Sequence, residues 1–197
     1  GSDDGLNKFD GYHFKIYRNI PDDDNSLSDN IVTCFLQEEN GTIWVGTHGG
    51  LNKINPLNDK ITRYFSNRKD STSLSDNLIR TLVKDPDGYI WIGTENGLNK
   101  FDPKTAKTTR YFANPESFSN NVIHKLYIDR KHNLWIKNQT HIHKMNLETN
   151  EIEHVIEIEQ PEKTFVVNSN FGMWQDHSGD MFLGTESGLY IYNYETG

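Results

Sequence analysis

Three features of the sequence predict an all-β fold, specifically a β-propeller fragment built from four-stranded antiparallel blades. The first is a repeat. Leu27-Ser28-Asp29-Asn30 recurs 47 residues later as Leu74-Ser75-Asp76-Asn77, and at the same spacing Ile43-Trp44-Val45-Gly46-Thr47 recurs as Ile90-Trp91-Ile92-Gly93-Thr94. Gly50-Leu51-Asn52-Lys53 and Arg63-Tyr64-Phe65 return in the same way as Gly97-Leu98-Asn99-Lys100 and Arg110-Tyr111-Phe112. The second is local chemistry: short runs of β-branched and aromatic residues alternate with Gly, Asn, Asp and Pro, the residues of tight turns. The third is the lack of any sustained 3.6-residue apolar period, which leaves no helix to build a mixed fold. Four strands in a repeat of 40–50 residues point to a propeller blade rather than a solenoid coil.

Each repeat is expected to supply four strands, which in the second full copy fall at about 78–84, 89–94, 98–102 and 108–112. Asp87-Gly88 and Asn96-Gly97 supply the first two hairpin turns, because Gly accepts positive φ without a steric penalty. Asp102-Pro103 supplies the third, and Pro cannot donate into a ladder. Ile90-Trp91-Ile92 is apolar at consecutive positions, as a strand buried on both faces requires. A third copy lies 44 residues on, with Leu134-Trp135-Ile136 in the Trp91 column, and a fourth another 47 on, with Met181-Phe182-Leu183-Gly184-Thr185. The segment 5–10 repeats the one that begins at Gly50.

These copies divide the single propeller segment into a partial blade at 1–26, blades at 27–73 and 74–117, a degenerate blade at 118–165 and a partial last blade at 166–197. Strand counting gives third and fourth strands at 6–9 and 13–17, and first to third strands at 171–176, 181–185 and 189–192. The third strand is thus present twice. That overhang predicts an open arc whose ends are covered by further blades of a parent chain or by a second copy. The alternative is a four-bladed ring in which 13–17 pairs beside 189–192.

Composition narrows the function. A net charge of −8 and a pI near 5.4 exclude a basic face for nucleic acid or for an anionic membrane surface. With 34% hydrophobic residues, 12% aromatic residues and a mean hydropathy of −0.75, the chain suits many short aromatic strands, and no apolar run is long enough to span a membrane. Cys34 is the only cysteine, so neither an intrachain disulfide nor a multi-cysteine metal site can form. Its neighbours Val32, Phe35 and Leu36 mark it as a small buried hydrophobe.

The pattern from Leu74 to Leu98, Leu-Ser-x-x-Leu/Ile followed by Asp-x-x-Gly-x-Ile-Trp-Ile-Gly-Thr-x-x-Gly-Leu, resembles the two-component regulator propeller repeat. The stretch 5–17 looks like the end of a first blade in such sensors. The resemblance implies the periplasmic sensor region of a hybrid histidine kinase, in a family with many members that respond to oligosaccharides. It implies a ligand-binding segment with no catalysis and no cofactor. The third copy departs from the pattern, with Lys137 and Asn138 in place of Gly93 and Thr94, and His141 in place of Gly97.

Residues that break a repeat are better candidates for function than residues that maintain it. Connections between blades and the turns between second and third strands emerge on one propeller face. On that face Lys137, Gln139 and His141, with Arg68 and Lys69, are the expected ligand contacts. Trp174, a non-repeating tryptophan in the column of Leu36, Val83 and Tyr127, allows either ligand stacking or core packing. Trp44, Trp91 and Trp135 share one column and are expected in the core. Asp85-Pro86-Asp87-Gly88 opens like a calcium loop, but Tyr89 and Asn96 stand where ligands are needed, so a hairpin turn is expected. His141 and His143 could share a zinc, yet no third ligand is specified, and no metal is expected. Two other functional classes remain: a propeller enzyme of the streptogramin-lyase type, supported by His132, His141 and His143, and a protein-interaction scaffold.

Overall fold

The computed structural model describes residues 3–114, 117–158, 172–185 and 188–196. The expected connection at 160–170, the start of the strand at 171 and the turn at Glu186 lie outside these residues. Every regular element described is a strand. A two-stranded hairpin, β1 (Leu6–Phe9) and β2 (Phe14–Tyr17), comes first. Three four-stranded antiparallel sheets follow in simple order. Blade one is β3 (Val32–Gln37), β4 (Ile43–Thr47), β5 (Gly50–Ile54) and β6 (Ile61–Tyr64). Blade two is β7 (Ile79–Lys84), β8 (Ile90–Thr94), β9 (Gly97–Asp102) and β10 (Lys107–Tyr111). Blade three is β11 (Lys125–Ile128), β12 (Asn133–Lys137), β13 (His141–Asn146) and β14 (Ile152–Glu157). A three-stranded sheet, β15 (Met173–Gln175), β16 (Met181–Thr185) and β17 (Gly188–Tyr192), ends the series.

The second strand of each full blade is buried from end to end or nearly so, which explains its unbroken apolar sequence. Four apolar clusters hold successive sheets together, centred on Val45 with Leu6 and Tyr17, on Trp44 with Ile79 and Phe101, on Trp91 with Ile123 and Met145, and on Trp135 with Met173 and Leu183. Trp44, Trp91 and Trp135 are fully buried, as expected. Gly93 shows how closely the blades approach: a Cβ there would sit 2.6 Å from Ile123 Cγ2 and from Thr81 Cγ2. Cys34 is half-buried rather than buried, and burial of its sulfur pushes the thiol up to about 11.

The clusters join sheets only in chain order, and among the described residues none joins the last sheet to the first. β2 pairs with β1, Leu6 facing Tyr17, and β17 pairs with β16. The pairing that a four-bladed ring would need, 13–17 beside 189–192, does not form. Phe9, Phe14 and Ile16 at one end and Leu189 and Ile191 at the other are exposed.

Candidate functional site

The repeated tetrapeptide before each blade is consumed by structure. Leu27 and Leu74 are buried. Ser28 donates its backbone N–H to Asn52 Oδ1 (2.9 Å) and accepts Asn52 Nδ2–H on its hydroxyl (2.9 Å). Ser75 and Asn99 repeat this clamp at 2.9 and 2.8 Å. Asp29 and Asp76 accept the backbone N–H two residues on, closing Asx turns. Asn30 and Asn77 accept backbone N–H groups of Asn19 and Ser66, fixing the incoming connection. Arg63 donates to the carbonyls of Asp23 and Ser26, and Arg110 to those of Asp70 and Ser73. The clamp brings the connection onto the turn between second and third strands, so both lie on one face.

Blade three replaces three parts of this device by histidine. His141, His143 and His154 occupy the columns of Gly97, Asn99 and Arg110. Their rings gather on β13 and β14, with centroids 4.5 Å apart for His143 and His154, 5.6 Å for His141 and His143, and 5.7 Å for His141 and His154. Gly97 has φ +116°, whereas His141 is not among the positive-φ residues, so the turn must be rebuilt. Asn138, in the column of Thr94, does so: its Oδ1 accepts N–H groups of Thr140 (3.0 Å) and His141 (2.8 Å). His141 Nδ1 lies 2.8 Å from Ser119 Oγ and 2.9 Å from Thr140 Oγ1. His143 is wholly buried, and burial first, then His154 and His141, pull its imidazole down to about 3.

Of the sequence-predicted contacts, His141 lies in this group and Gln139 is exposed on the adjoining turn. Lys137 is not on the surface. It is buried, and its Nζ donates to the Gly184 carbonyl at 2.9 Å, tying blade three to the last sheet. Arg68 and Lys69 are exposed on the connection from β6 to β7. Trp174 is 54% exposed and lies against Phe182, so the core-packing reading fails for it. His132 stands at the other end of β12 from His141, in a turn with φ 60°, the column of Gly88. The trio of His132, His141 and His143 therefore does not form. His154, which sequence proximity did not suggest, takes the third place. Among the described residues no group of three or more His, Cys, Asp and Glu is placed to hold a metal ion. Asp85 closes the expected hairpin, its N–H bonded to the Tyr89 carbonyl and its carboxylate to Tyr89 N–H.

A second concavity of about 410 Å³ follows the first strands, lined by Thr33, Phe35, Leu82, Lys125 and Leu126. Near it His124 is pulled down to about 4, by burial first and then by Arg80 and Lys137.

Comparison with known proteins decides what these repeats are. The two-component regulator propeller profile matches residues 26–49 and 73–96. The chain carries two-component regulator propeller repeats. The matched segments are those whose Leu, Ser, Asp and Asn residues build the clamp and turns above. An extracellular domain assigned to a hybrid two-component system of B. thetaiotaomicron superposes with a TM-score of 0.81 at 22% identity, over 98% of this chain and 26% of that structure. Histidine kinase P4 of Formosa agariphila is 68% identical over 28 residues, 14% of this chain and 2% of the kinase. Virginiamycin B lyase of Staphylococcus aureus shares the fold at a TM-score of 0.58 and 18% identity, over 90% of this chain and 59% of the lyase. The regulator-propeller segment therefore spans about a quarter of the extracellular domain it superposes on. No helix among the described residues is long and apolar enough to cross a membrane.

Proposed function

We propose that this chain is a ligand-binding segment of a periplasmic two-component sensor, that it recognises an oligosaccharide, and that it carries out no catalysis. The observation that carries this reading is the departure of blade three. In blades one and two, the residues of this face are occupied in holding the blade. In blade three the turn from β12 to β13 presents Gln139, Thr140 and His141, with Ser119 beside them and His154 exposed at the edge. Hydroxyl, amide and imidazole groups at a rim both donate and accept, which is what a neutral, hydroxyl-rich ligand requires. Lys137 would act by holding the turn against the last sheet, and Arg68, Lys69 and Trp174 would extend the surface. The extracellular origin of the superposed domain supports the compartment.

Glycan-array screening followed by calorimetry tests this reading. The chain should bind a defined oligosaccharide class, and Gln139→Ala with His141→Ala should weaken binding at least tenfold. Binding unchanged in the double variant would reject the site, and no binding across the array would reject the ligand class. The exposed apolar residues at both ends support packing against further blades of a longer array. Light scattering should then give a concentration-dependent mass for this segment alone and a monomer once adjoining blades are included. A stable dimer in both cases would favour a second copy instead.

A further inference from the structure

The clamp that Asn52 and Asn99 make with a donor–acceptor amide is made in blade three by His143. The substitution carries a chemical consequence. Ser119 offers its backbone N–H to His143 Nε2 at 3.5 Å, and the Asn138 side-chain amide lies 3.2 Å from the same nitrogen. A backbone N–H can only donate, so Nε2 is the acceptor and the ring proton sits on Nδ1. That Nδ1 is buried and has no hydrogen-bond partner. Adding a second proton would turn the Nε2 lone pair into a donor aimed at the Ser119 N–H, and would place a cation in a wholly buried site. Asn52 and Asn99 have no such second state.

Nothing around the ring would compensate the charge. From β13 the ionisable group facing it is His141, and from β14 it is His154, whose proton would repel a second one. From the preceding connection come Phe118 and Ser119, and from the turn Asn138, none of them anionic. Glu157 lies across the ladder from His141, on the exposed edge strand. Lys144 is bound to Glu153 and Tyr192.

We propose that blade three is a pH-sensitive junction: neutral His143 clamps the connection between blades two and three at Ser119, and acidification releases it. The sign follows from linkage. A histidine held below its ordinary value stabilises the fold fully above about pH 6.5, and this is lost progressively as the pH falls from about 6.5 toward 3. Between pH 7.5 and pH 5 the unfolding constant should rise about 30-fold on account of this group alone. The inference does not depend on the ligand proposed above, because the junction titrates without one.

The test uses the full chain and His143→Asn, which installs the residue that blades one and two already carry. Urea unfolding at pH 7.5 and pH 5.0 should show the wild-type equilibrium shifting about 30-fold more than that of the variant, since His124 and the other histidines are common to both and cancel. Imidazole NMR titration of the unsubstituted chain provides a readout that needs no variant. His143 should stay neutral down to pH 5, and hydrogen exchange at the Ser119 amide should accelerate below pH 6. An equal pH response in both chains, or a His143 resonance that titrates near 6.5 in the folded chain, would overturn the proposal.

Discussion

Trp91→Ala should be among the most damaging single changes in this chain, and its magnitude can be worked from two contributions. The indole is fully buried between blades two and three, near Tyr111 at 5.6 Å and under the Lys100 ammonium at 5.2 Å. Truncating a buried aromatic of this kind costs about 3–5 kcal/mol. The second contribution is a hydrogen bond: Trp91 Nε1 donates to Asp85 Oδ2 at 2.9 Å, and Asp85 is itself buried. A bond to a charged acceptor is worth about 1.5–3 kcal/mol, much of it already counted in the truncation. Trp91→Phe isolates this bond, keeping most of the ring while removing the donor, and should cost about 1.5–3 kcal/mol. With a urea slope of about 2 kcal/mol/M, Trp91→Ala lowers the midpoint by about 1.5–2.5 M and Trp91→Phe by about 1 M. Asn96→Ala, exposed in the next turn, should stay within about 0.5 kcal/mol. Far-UV circular dichroism against urea measures all three. Equal midpoint shifts for Trp91→Ala and Asn96→Ala would refute the blade packing on which the estimate rests.

Glu38→Asp should stabilise the chain by about 1 kcal/mol: Trp44 Nε1 is buried without a partner because Glu38, in the column of Asp85 and Asp129, is turned to Lys84. Thermal melting checks this, and the gain must vanish in a Trp44→Phe background. Gly93→Ala should destabilise by about 1–3 kcal/mol, since its Cβ would meet Ile123 and Thr81 at 2.6 Å, while Gly88→Ala meets no neighbour and acts only through its φ of +92°. Equal urea midpoints for the two would argue against close blade approach. Lys137→Met should cost about 1–3 kcal/mol by removing the Gly184 bond while keeping most of the buried stem, and hydrogen exchange should rise first in β16. Uniform exchange across the chain would show that Lys137 does not act at that junction.

The fold was legible because the repeat encodes its own supports. Every residue of Leu74-Ser75-Asp76-Asn77 has one structural task, and Trp91, Gly93 and Thr94 each meet a neighbour that only their residue type satisfies. The site was legible only in part, and the reason lies in the same encoding. Neighbourhood along the chain grouped His132 with His141 and His143, yet a five-residue strand separates their positions, and His132 merely fills the left-handed turn position of Gly88. Column position finds the right partner: moving 44 residues on from Gly97, Asn99 and Arg110 gives His141, His143 and His154 together. Lys137 misled because a charge in a glycine column looks exposed, whereas a four-carbon stem can lie along apolar surface and deliver its ammonium to a carbonyl of the next sheet. Trp174 misled in the other direction, since its column neighbours Leu36, Val83 and Tyr127 are half-buried while its larger ring stands out over Phe182. In a propeller the repeated positions specify packing, so what distinguishes one segment from another lies in the differences between blades. In this chain those differences converge on blade three, where three structural columns became imidazole and the turn that joins them was rebuilt around Asn138.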